Sequence, residues 1–426
     1  MMTNENWRPL FESPLRTVAP DIARLLADQE ERESRTVNLV ASESYCPRAT
    51  LEAEASILVN KNATGYPGKR AIGGSDVLDK IEGIAIERAK RLFGAEHANV
   101  QSLSSTIANV AVLRALIGKG DRILSFEMAA GGHVSHGGGA HVSGQDYRVE
   151  TFGVDEDSGA INLSSARNQA ERFRPRIIIA GSSSYPRRID YRALHDIATN
   201  VGAILFADIA HVAGLVVSGL HPNPVPFADV VTTSTHKTLC GPRTGGVVLC
   251  QGRHAAAIDA ALYPGLQGAP GAHIIAARAV LFDLVGRPAF HALMGTVVAN
   301  ATAFAESLLD AGMALYTGGT DTHMVVVDLR RTGWNGAILN ARLARHGVTA
   351  NATRLPALAG AGSQLGLRLG TVPMTLRGTD GDGFRRIGEV LARLLKVDPE
   401  SDDDLEIAQI VKEIAKRHPL PDTLGS

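Results

Sequence analysis

The chain has 426 residues, 45% of them hydrophobic and 20% charged, which is enough to bury a large core divided into two or three domains. Its 43 basic and 44 acidic residues leave a formal net charge of −1, so it lacks the positive field that holds nucleic acid or an anionic membrane. With three cysteines in no CxxC spacing, no export signal and no run of about 20 apolar residues, we expect a cytoplasmic protein without disulfides, zinc or a membrane partner.

The chain begins with an arm of mixed charge, which we assign to residues 1–60. From residue 61 to 285, short apolar and β-branched runs alternate with helical patterns, which is typical of βαβ units. The clearest of these runs occupy residues 176–181, 203–208, 230–234 and 245–250. Because they show no polar alternation, they predict a mostly parallel sheet that is covered by helices on both faces.

The segment SLSSTIANVAVLRALIGKG, residues 102–120, places Ser105 and Thr106 before an amphipathic helix. Hydroxyl groups and free amide N–H groups at the start of a helix can converge on an anion such as phosphate. Serine and threonine also cap many helices that bind nothing. The segment therefore fits either a phosphate site or an ordinary helix cap.

The turn AAGGHVSHGGG, residues 129–139, carries His133 and His136 between glycines. Glycines let the backbone approach a flat ring closely, and an imidazole can stack on such a ring. Two neighbouring histidines could instead bind a metal ion, but no carboxylate or thiol completes a metal-binding pattern here. We predict no metal site.

Polar residues follow two of the predicted strands. Asp208 ends one apolar run, His211 comes three residues later, and Lys237 follows the next strand. Open α/β sheets bind ligands at the carboxyl ends of their strands. A buried carboxylate there suits a protonated ring nitrogen, and a desolvated lysine becomes nucleophilic. Pyridoxal phosphate meets both needs, although an isolated aspartate could equally cap a helix or pair with a core cation.

Beyond residue 285 the order of elements changes. A long helical pattern, NATAFAESLLDAG, precedes a single strand pattern, HMVVVDLRR, and further helix and strand patterns follow to the end. This order predicts a smaller α+β domain over residues 286–426.

Many segments of the chain, in order, resemble those of the serine hydroxymethyltransferase family. They include NLVASES, GYPGKR, GGHVSHG, FADIAHVAGLVVSGLHPNPVPFADVVTTSTHKTLCGPRTGG, LYPGLQGAP and LGLRLGT. The resemblance runs from about residue 37 to residue 419. It implies a pyridoxal-phosphate-dependent enzyme of the aspartate aminotransferase-like α/β fold (fold type I), with the smaller α+β domain at the C-terminal end.

The same resemblance implies roles for particular residues. Lys237 would be the Schiff-base lysine, Asp208 would face the pyridinium nitrogen, and His133 would stack on the ring, so that loss of His136 should matter less. Other residues implied to surround the cofactor are His211 and Ser183 near its phenolic oxygen and Ser105, Thr106 and His236 near its phosphate. Arg368 and Ser42 match positions that hold the substrate carboxylate, a task that suits a planar guanidinium.

One loop departs from the family pattern. Where the family reads NKYAEGYPGKRYYGG, this chain reads NKNATGYPGKRAIGG, so Asn62, Ala71 and Ile72 replace tyrosines. Thr64 stands in the place of the catalytic glutamate, and threonine does not titrate near neutral pH. We therefore expect folate-dependent transfer to be lost and the pocket, with Ile72 on its substrate side, to admit a bulkier amino acid.

The resemblance also implies a homodimer, or a tetramer, with shared active sites. Two loops would reach the cofactor of the neighbouring subunit, and they carry Asn62, Thr64, Ile72, Gly268 and Ala269. The glycine and the alanine would act through their backbone N–H groups, which can bind phosphate without side-chain help.

Three hypotheses for the function follow. The leading one is a folate-independent enzyme acting at Cα or Cβ of a β-substituted α-amino acid, such as an S-conjugated cysteine, by β-elimination, decarboxylation or oxidative deamination. It resembles the enzymes of lincosamide antibiotic biosynthesis that process a sugar-conjugated cysteine. The second is a serine/glycine hydroxymethyltransferase, or an aldolase or transaldolase. The third is a non-catalytic subunit that binds pyridoxal phosphate.

Overall fold

The computed structural model describes residues 7–155, 158–243, 245–334, 336–356, 365–396 and 405–422. The helices in these ranges are α1 (Arg8–Glu12), α2 (Leu15–Val18), α3 (Pro20–Ser34), α4 (Arg48–Glu54), α5 (Asp76–Phe93), α6 (Ser105–Leu116), α7 (Val142–Gln145), α8 (Leu163–Phe173), α9 (Tyr191–Val201), α10 (Ala213–Val217), α11 (Ala255–Ala260), α12 (Ala272–Val285), α13 (Pro288–Asp310), α14 (Gly336–Arg345), α15 (Val372–Leu376), α16 (Gly381–Lys396) and α17 (Leu405–Arg417). The strands are β1 (Val37–Asn38), β2 (Gly65–Tyr66), β3 (Lys69–Arg70), β4 (His97–Asn99), β5 (Arg122–Phe126), β6 (Arg148–Phe152), β7 (Ile177–Gly181), β8 (Ile204–Asp208), β9 (Val230–Ser234), β10 (Gly246–Cys250), β11 (Met324–Asp328), β12 (Val348–Thr349), β13 (Asn351–Thr353) and β14 (Gly366–Gly370).

A seven-stranded sheet in the order β4-β10-β9-β8-β7-β5-β6 organises the larger part of the molecule. The strands from β9 to β6 run parallel, which confirms the predicted α/β class with a mostly parallel sheet. β10 differs, because it runs antiparallel to both β9 and β4. The described residues between β9 and β10 form no crossover helix, and a parallel connection would need one.

The central strands are buried on both faces, as their uninterrupted apolar runs predict. In β7, Ile178 and Ala180 belong to one hydrophobic cluster, whereas Ile177 and Ile179 belong to another on the opposite face. The two-residue period of a strand produces this division. Helices cover both faces, so the polar ends of the strands are the parts of the sheet that remain open to a ligand.

The C-terminal part contains a second, antiparallel sheet in the order β11-β14-β13. The long helices α13 and α16 pack against each other beside it. β1, from the N-terminal arm, pairs in parallel with β12, so the arm is tied to the C-terminal part of the fold. The predicted boundaries near residues 60 and 285 stay predictions.

Within the described ranges, α13 is the one helix that is long and apolar enough to cross a membrane by length and composition alone. Half of its most apolar 18-residue window is buried inside the protein. The buried core helix of a globular protein passes the same test, so α13 is weak evidence for a membrane span.

Candidate active site

The predicted site residues lie at the carboxyl edge of the large sheet. Asp208 is the last residue of β8, and Lys237 follows the end of β9 by three residues. A short 3-10 turn, Val134–His136, lies beyond β5. The charges of Asp208, His133 and Lys237 act on one another's pKa values, so the fold brings the three together in one site.

Three donors hold the Asp208 carboxylate. Its Oδ2 accepts hydrogen bonds from Asn109 Nδ2 at 2.8 Å and His136 Nε2 at 3.0 Å, and its Oδ1 accepts one from the Ala210 amide at 2.9 Å. Burial alone would raise the pKa of Asp208, but the bond from His136 and the neighbouring positive charges outweigh burial and hold that pKa well below its usual value. The carboxylate is therefore ionised, and His136 donates to it.

The two histidines of the glycine-rich turn are in contact, with ring centroids 5.5 Å apart. His133 Nδ1 lies 2.7 Å from Ser135 Oγ, and burial lowers the pKa of His133 to about 4, so its ring is neutral. His136 is almost fully buried and bonds directly to Asp208. His136 thus acts through Asp208, and the expectation that its loss matters less than the loss of His133 stays a prediction.

The amine of Lys237 is prepared to act as a nucleophile. Burial lowers its pKa to about 8, while Asp208 opposes this shift and Arg368 and Arg243 add to it. Among the described residues, Nζ has no hydrogen-bond acceptor. A measurable fraction of the amine is therefore neutral near physiological pH, and that is the form that attacks an aldehyde.

This lowered pKa predicts how cofactor uptake depends on pH. The rate at which the cofactor-free protein attaches pyridoxal phosphate should rise with pH through a midpoint near 8, because the neutral amine reacts. Stopped-flow absorbance between pH 6.5 and 9.5 measures this rate, with free lysine as the reference reaction. A midpoint near 10.5, the usual pKa of a lysine amine, would contradict the lowered pKa.

A stacked pair of buried histidines lies near Lys237 and Arg368. The rings of His211 and His323 are 5.7 Å apart and 19° from parallel. Burial lowers the pKa of both, that of His323 to about 3, so both rings are neutral. The Nδ1 atoms of both are buried without a hydrogen-bond partner. His323, a neighbour that the sequence did not reveal, stacks on His211, while the place of His211 near the phenolic oxygen of the cofactor stays a prediction.

The segment predicted to bind phosphate forms the start of α6. Ser104 caps this helix, its side chain accepting from Ile107 N at 3.1 Å, so the helix-cap reading is correct for Ser104. Ser105 and Thr106 occupy the first helical positions, where backbone N–H groups have no intrahelical acceptor. Gly246 passes so close that a Cβ there would lie 2.3 Å from the Ser104 carbonyl oxygen. The free N–H groups at the start of α6 are compatible with an anion, and the phosphate site there, called the cradle below, stays a prediction.

His236 directly precedes Lys237 in the loop that follows β9. Burial lowers the pKa of His236 to about 4, and its Nδ1 is buried without a partner. Its carbonyl oxygen accepts a hydrogen bond from Ser44 Oγ at 2.9 Å. A phosphate group would supply the missing partner for the ring, which is the role that the resemblance implies.

Arg368 lies in the middle of β14 and is buried, with 8% of the residue exposed. Nη1 donates to the Ser183 carbonyl oxygen at 2.6 Å and to Ser183 Oγ at 2.9 Å. Nε and Nη2 donate to Asn351 Oδ1 at 3.2 and 3.1 Å. Every one of these partners is neutral, and burial lowers the pKa of Arg368 to about 10. A buried cation with neutral partners favours an anionic ligand.

Close packing of the backbone brings the Ser42 segment to the end of β14. The Gly370 amide donates to the Leu39 carbonyl at 2.7 Å, and a Cβ at Gly370 would lie 2.3 Å from the Ala41 Cα. His323 Nε2 bonds to the Ala41 carbonyl at 3.1 Å. Ser42 follows Ala41 directly in the chain, and Gly370, which packs on Ala41, is two residues after Arg368 in β14. This placement is consistent with the predicted part of Ser42 in binding a carboxylate.

The loop that departs from the family pattern is held rigidly. Thr64 donates from its amide and from Oγ1 to Asn62 Oδ1, at 2.9 and 2.6 Å. Arg70 braces the same loop by donating to the carbonyl oxygens of Ala63 and Gly65 and to Asp79. Thr64 is thus paired with Asn62, and its own chain offers no carboxylate at this position. The Ile72 side chain is 44% exposed.

The loop with Gly268 and Ala269 adjoins this one. Asn62 forms an antiparallel bridge with Gly271, and the rings of Tyr66 and Tyr263 meet edge to face at 6.2 Å. Gly268 and Ala269 are exposed. The two loops predicted to serve a partner therefore form one continuous surface of the chain.

Some residues of the site could not be recognised from the sequence. They are Asn109, His323 and Asn351, and the contact of His136 with Asp208 was likewise not foreseen. The position of Asn109 on α6, one turn after Thr106, is the single local signal, since it places the amide on the face of the helix that carries the cradle. The other contacts join segments that are distant in the chain.

The arrangement fits pyridoxal phosphate. The Asp208 carboxylate has about four lone-pair sites and three donors, so one site is available to a protonated ring nitrogen. The amides at the start of α6 fit a phosphate, and Lys237 provides a reactive amine. The orphaned ring nitrogens of His211 and His236 fit further polar groups of the same ligand.

Comparison with known proteins agrees with this site. The family model described as serine hydroxymethyltransferase matches residues 15–391. A protein named serine hydroxymethyltransferase from Coprothermobacter proteolyticus is 44% identical over 406 residues, which cover 94% of this chain and 96% of that protein. The chain therefore belongs to the serine hydroxymethyltransferase family, a family of enzymes that use pyridoxal 5′-phosphate.

Proposed function

We propose that the protein makes or breaks the Cα–Cβ bond of a β-hydroxy α-amino acid, and that it is a serine/glycine hydroxymethyltransferase. The observation that carries the proposal is the buried Arg368, whose described partners, Ser183 and Asn351, are neutral. Such a cation binds a carboxylate strongly, and an amino acid presents one directly on Cα. The 44% identity to a serine hydroxymethyltransferase supports this reaction over the others considered.

Each residue of the site has a separate role in the proposed reaction. When bound, pyridoxal phosphate supplies an electron sink that makes the bonds at Cα labile. Arg368 holds the carboxylate and so decides which bond at Cα lies in the reactive orientation. Asp208 stays ionised and would accept a hydrogen bond from the ring nitrogen of a bound cofactor, while His136 and Asn109 keep the carboxylate in place. Lys237 can give or take a proton at Nζ.

A second candidate is favoured by one observation in the departing loop. Thr64 is hydrogen-bonded to Asn62 and cannot titrate near neutral pH, so a proton-transfer group of folate-dependent catalysis is missing from that position. This favours a folate-independent enzyme acting on another β-substituted amino acid, such as an S-conjugated cysteine. The comparisons give more weight to the first candidate, and nothing in them points to antibiotic biosynthesis.

The experiment that separates the candidates measures glycine release. Purified enzyme is incubated with serine, threonine or β-phenylserine, with and without tetrahydrofolate, and glycine is quantified by mass spectrometry. The first candidate predicts that tetrahydrofolate raises glycine release from serine at least tenfold. The second candidate predicts no effect of tetrahydrofolate in the parent enzyme and a gain of folate dependence in Thr64→Glu. Glycine release from none of these substrates would refute Cα–Cβ cleavage.

The third hypothesis, a non-catalytic subunit, receives little support. Lys237 with its lowered pKa, the ionised Asp208 and the buried Arg368 are all retained in one site. A subunit that only binds pyridoxal phosphate would need the reactive amine but would have no use for the unneutralised arginine. An enzyme and such a subunit would both show the cofactor's absorbance band, so the test is glycine release, which an active enzyme should lose in Lys237→Ala.

We also propose that the active unit is a homodimer, alone or within a tetramer, with shared sites. The surface formed by the loops of Asn62 and Gly268 is exposed in the single chain and contains Ile72. Arg70 supports this surface through hydrogen bonds to the Ala63 carbonyl oxygen and to Asp79. A rigid, exposed surface next to a site is well suited to complete the site of a symmetric partner.

Complementation tests this sharing. Lys237→Ala chains and Gly268→Pro chains should each form inactive homodimers, and mixing them should restore up to roughly a quarter of the parent activity if pairing is random and symmetric. Activity is measured after subunit exchange has been demonstrated by mass spectrometry of differently labelled chains. Exchange without recovery, or full activity in a verified monomer, would contradict shared sites.

A further inference from the structure

The two residues that accept hydrogen bonds from the Arg368 guanidinium, Ser183 and Asn351, are both neutral. Its Nη1 faces Ser183, and its Nε and Nη2 share the single oxygen Asn351 Oδ1. The guanidinium is thereby fixed in orientation by four hydrogen bonds, yet none of the acceptors cancels its charge. Its hydrogen-bond donors have partners, while its electrostatic attraction for an anion is preserved.

Asn351 is held opposite Arg368 by the register of the small sheet. β13 and β14 pair antiparallel, and Asn351 and Arg368 are direct partners in that pairing. The Asn351 amide nitrogen donates to the Ala352 carbonyl at 3.3 Å, which leaves its oxygen towards the guanidinium. Only the oxygen can accept from Nε and Nη2, so the side chain has one satisfactory orientation.

An aspartate would make the same two hydrogen bonds at this position and would make them stronger. It would also neutralise Arg368, so an incoming carboxylate would have to displace a buried ion pair before it could bind. The amide therefore interacts with Arg368 more weakly than an aspartate would, but it preserves the attraction of Arg368 for the ligand. Stability alone would favour the acid.

We propose that Asn351 is a positioning residue that makes the site selective for carboxylates, by orienting Arg368 with a neutral oxygen and leaving its charge for the substrate. The inference rests on the proposed function, in which Arg368 binds the carboxylate of an amino acid. It deepens that function by assigning the selectivity to a second residue.

The test compares Asn351→Asp with the parent as holoenzymes. Isothermal titration measures the affinity for glycine and for 2-aminoethanol, an amine that lacks the carboxylate, and a thermal melt of each protein reports stability. Asn351→Asp should bind glycine about 100-fold more weakly, bind 2-aminoethanol as the parent does and melt at the same or a higher temperature. A residue of merely structural importance would not separate the two ligands.

Matched variants complete the design. Asn351→Leu keeps the charge of Arg368 but removes its acceptor, so it should bind glycine about tenfold more weakly and melt at a lower temperature. Asn200→Asp, an exposed position on α9, adds the same charge far from the described contacts of Arg368 and should change neither affinity. If Asn351→Asp does not fold, Ser183→Asp places a carboxylate against Nη1 and should give the same loss of glycine binding.

Two outcomes would overturn the inference or its premise, and they differ. If Arg368→Leu weakens glycine binding while Asn351→Asp and Ser183→Asp bind glycine as tightly as the parent, the selectivity does not come from the neutral partners. If Arg368→Leu leaves glycine affinity unchanged, the proposed carboxylate site itself is wrong.

Discussion

Replacing Asp208 with asparagine should lower the turnover rate by about 10²–10⁴-fold, the equivalent of removing one partner of a buried charged pair. The amide can still accept hydrogen bonds from His136 and Asn109, so the fold around it should persist. A neutral amide, however, does not stabilise a proton on the cofactor's ring nitrogen, and the electron sink is weakened. Steady-state kinetics with serine, together with the cofactor's absorbance spectrum, measure the effect.

The control for this variant is Asp196→Asn on the exposed face of α9, which removes the same charge at the surface. It should change turnover by less than twofold and leave the spectrum as it is. Retention of more than a tenth of the parent rate in Asp208→Asn would contradict the role of the ionised carboxylate. His136→Ala should have a smaller effect of the same kind, because it removes one of the three donors that keep Asp208 ionised.

Replacing Arg377 with alanine should lower the free energy of unfolding by about 3–5 kcal/mol. The side chain is buried and donates to five carbonyl oxygens. These belong to Glu33, Ser34, Thr36, Ala415 and His418, at or just beyond the ends of α3 and α17. The substitution would leave buried acceptors without donors and remove a positive charge from the negative ends of two helices.

A thermal melt of the holoenzyme measures this loss, and a drop of several degrees is expected. Arg386→Ala, an exposed arginine on α16, is the matched control and should melt within about one degree of the parent. Because Arg377 lies outside the active site, the variant should keep its affinity for glycine at low temperature. An unchanged melting temperature would show that the carbonyl groups find other donors.

The sequence is sufficient to predict the cofactor side of the site. Asp208 and Lys237 each follow a buried strand, and parallel strands present their carboxyl ends at one edge, so local patterns determine where these two residues lie. The apolar run after Ser105 and Thr106 likewise predicts where α6 begins, although the structure buries α6 continuously from Ala108 to Leu113, so the expected amphipathic face was wrong. In each case the relevant signal lies within one strand or one helix.

The substrate side could not be predicted in the same way. Asn351 meets Arg368 because of the register between β13 and β14, and one residue of slippage would turn the amide to the opposite face. His323 reaches His211 only because a strand of the small sheet is packed beside the large one. The antiparallel direction of β10 depends on the missing crossover helix, which the apolar pattern of the strand itself does not reveal.

The pairing of β1 with β12 bears on the order in which the site can form during synthesis. All the strands of the large sheet have left the ribosome once Cys250 has emerged, so the cofactor side can assemble while translation continues. The segment leading to Ser42 must wait for Val348 to give β1 its partner. We infer that a nascent chain stalled between these points has Asp208 and Lys237 in place, but it lacks Arg368 and its Ser42 segment is still without the partner strand of β1.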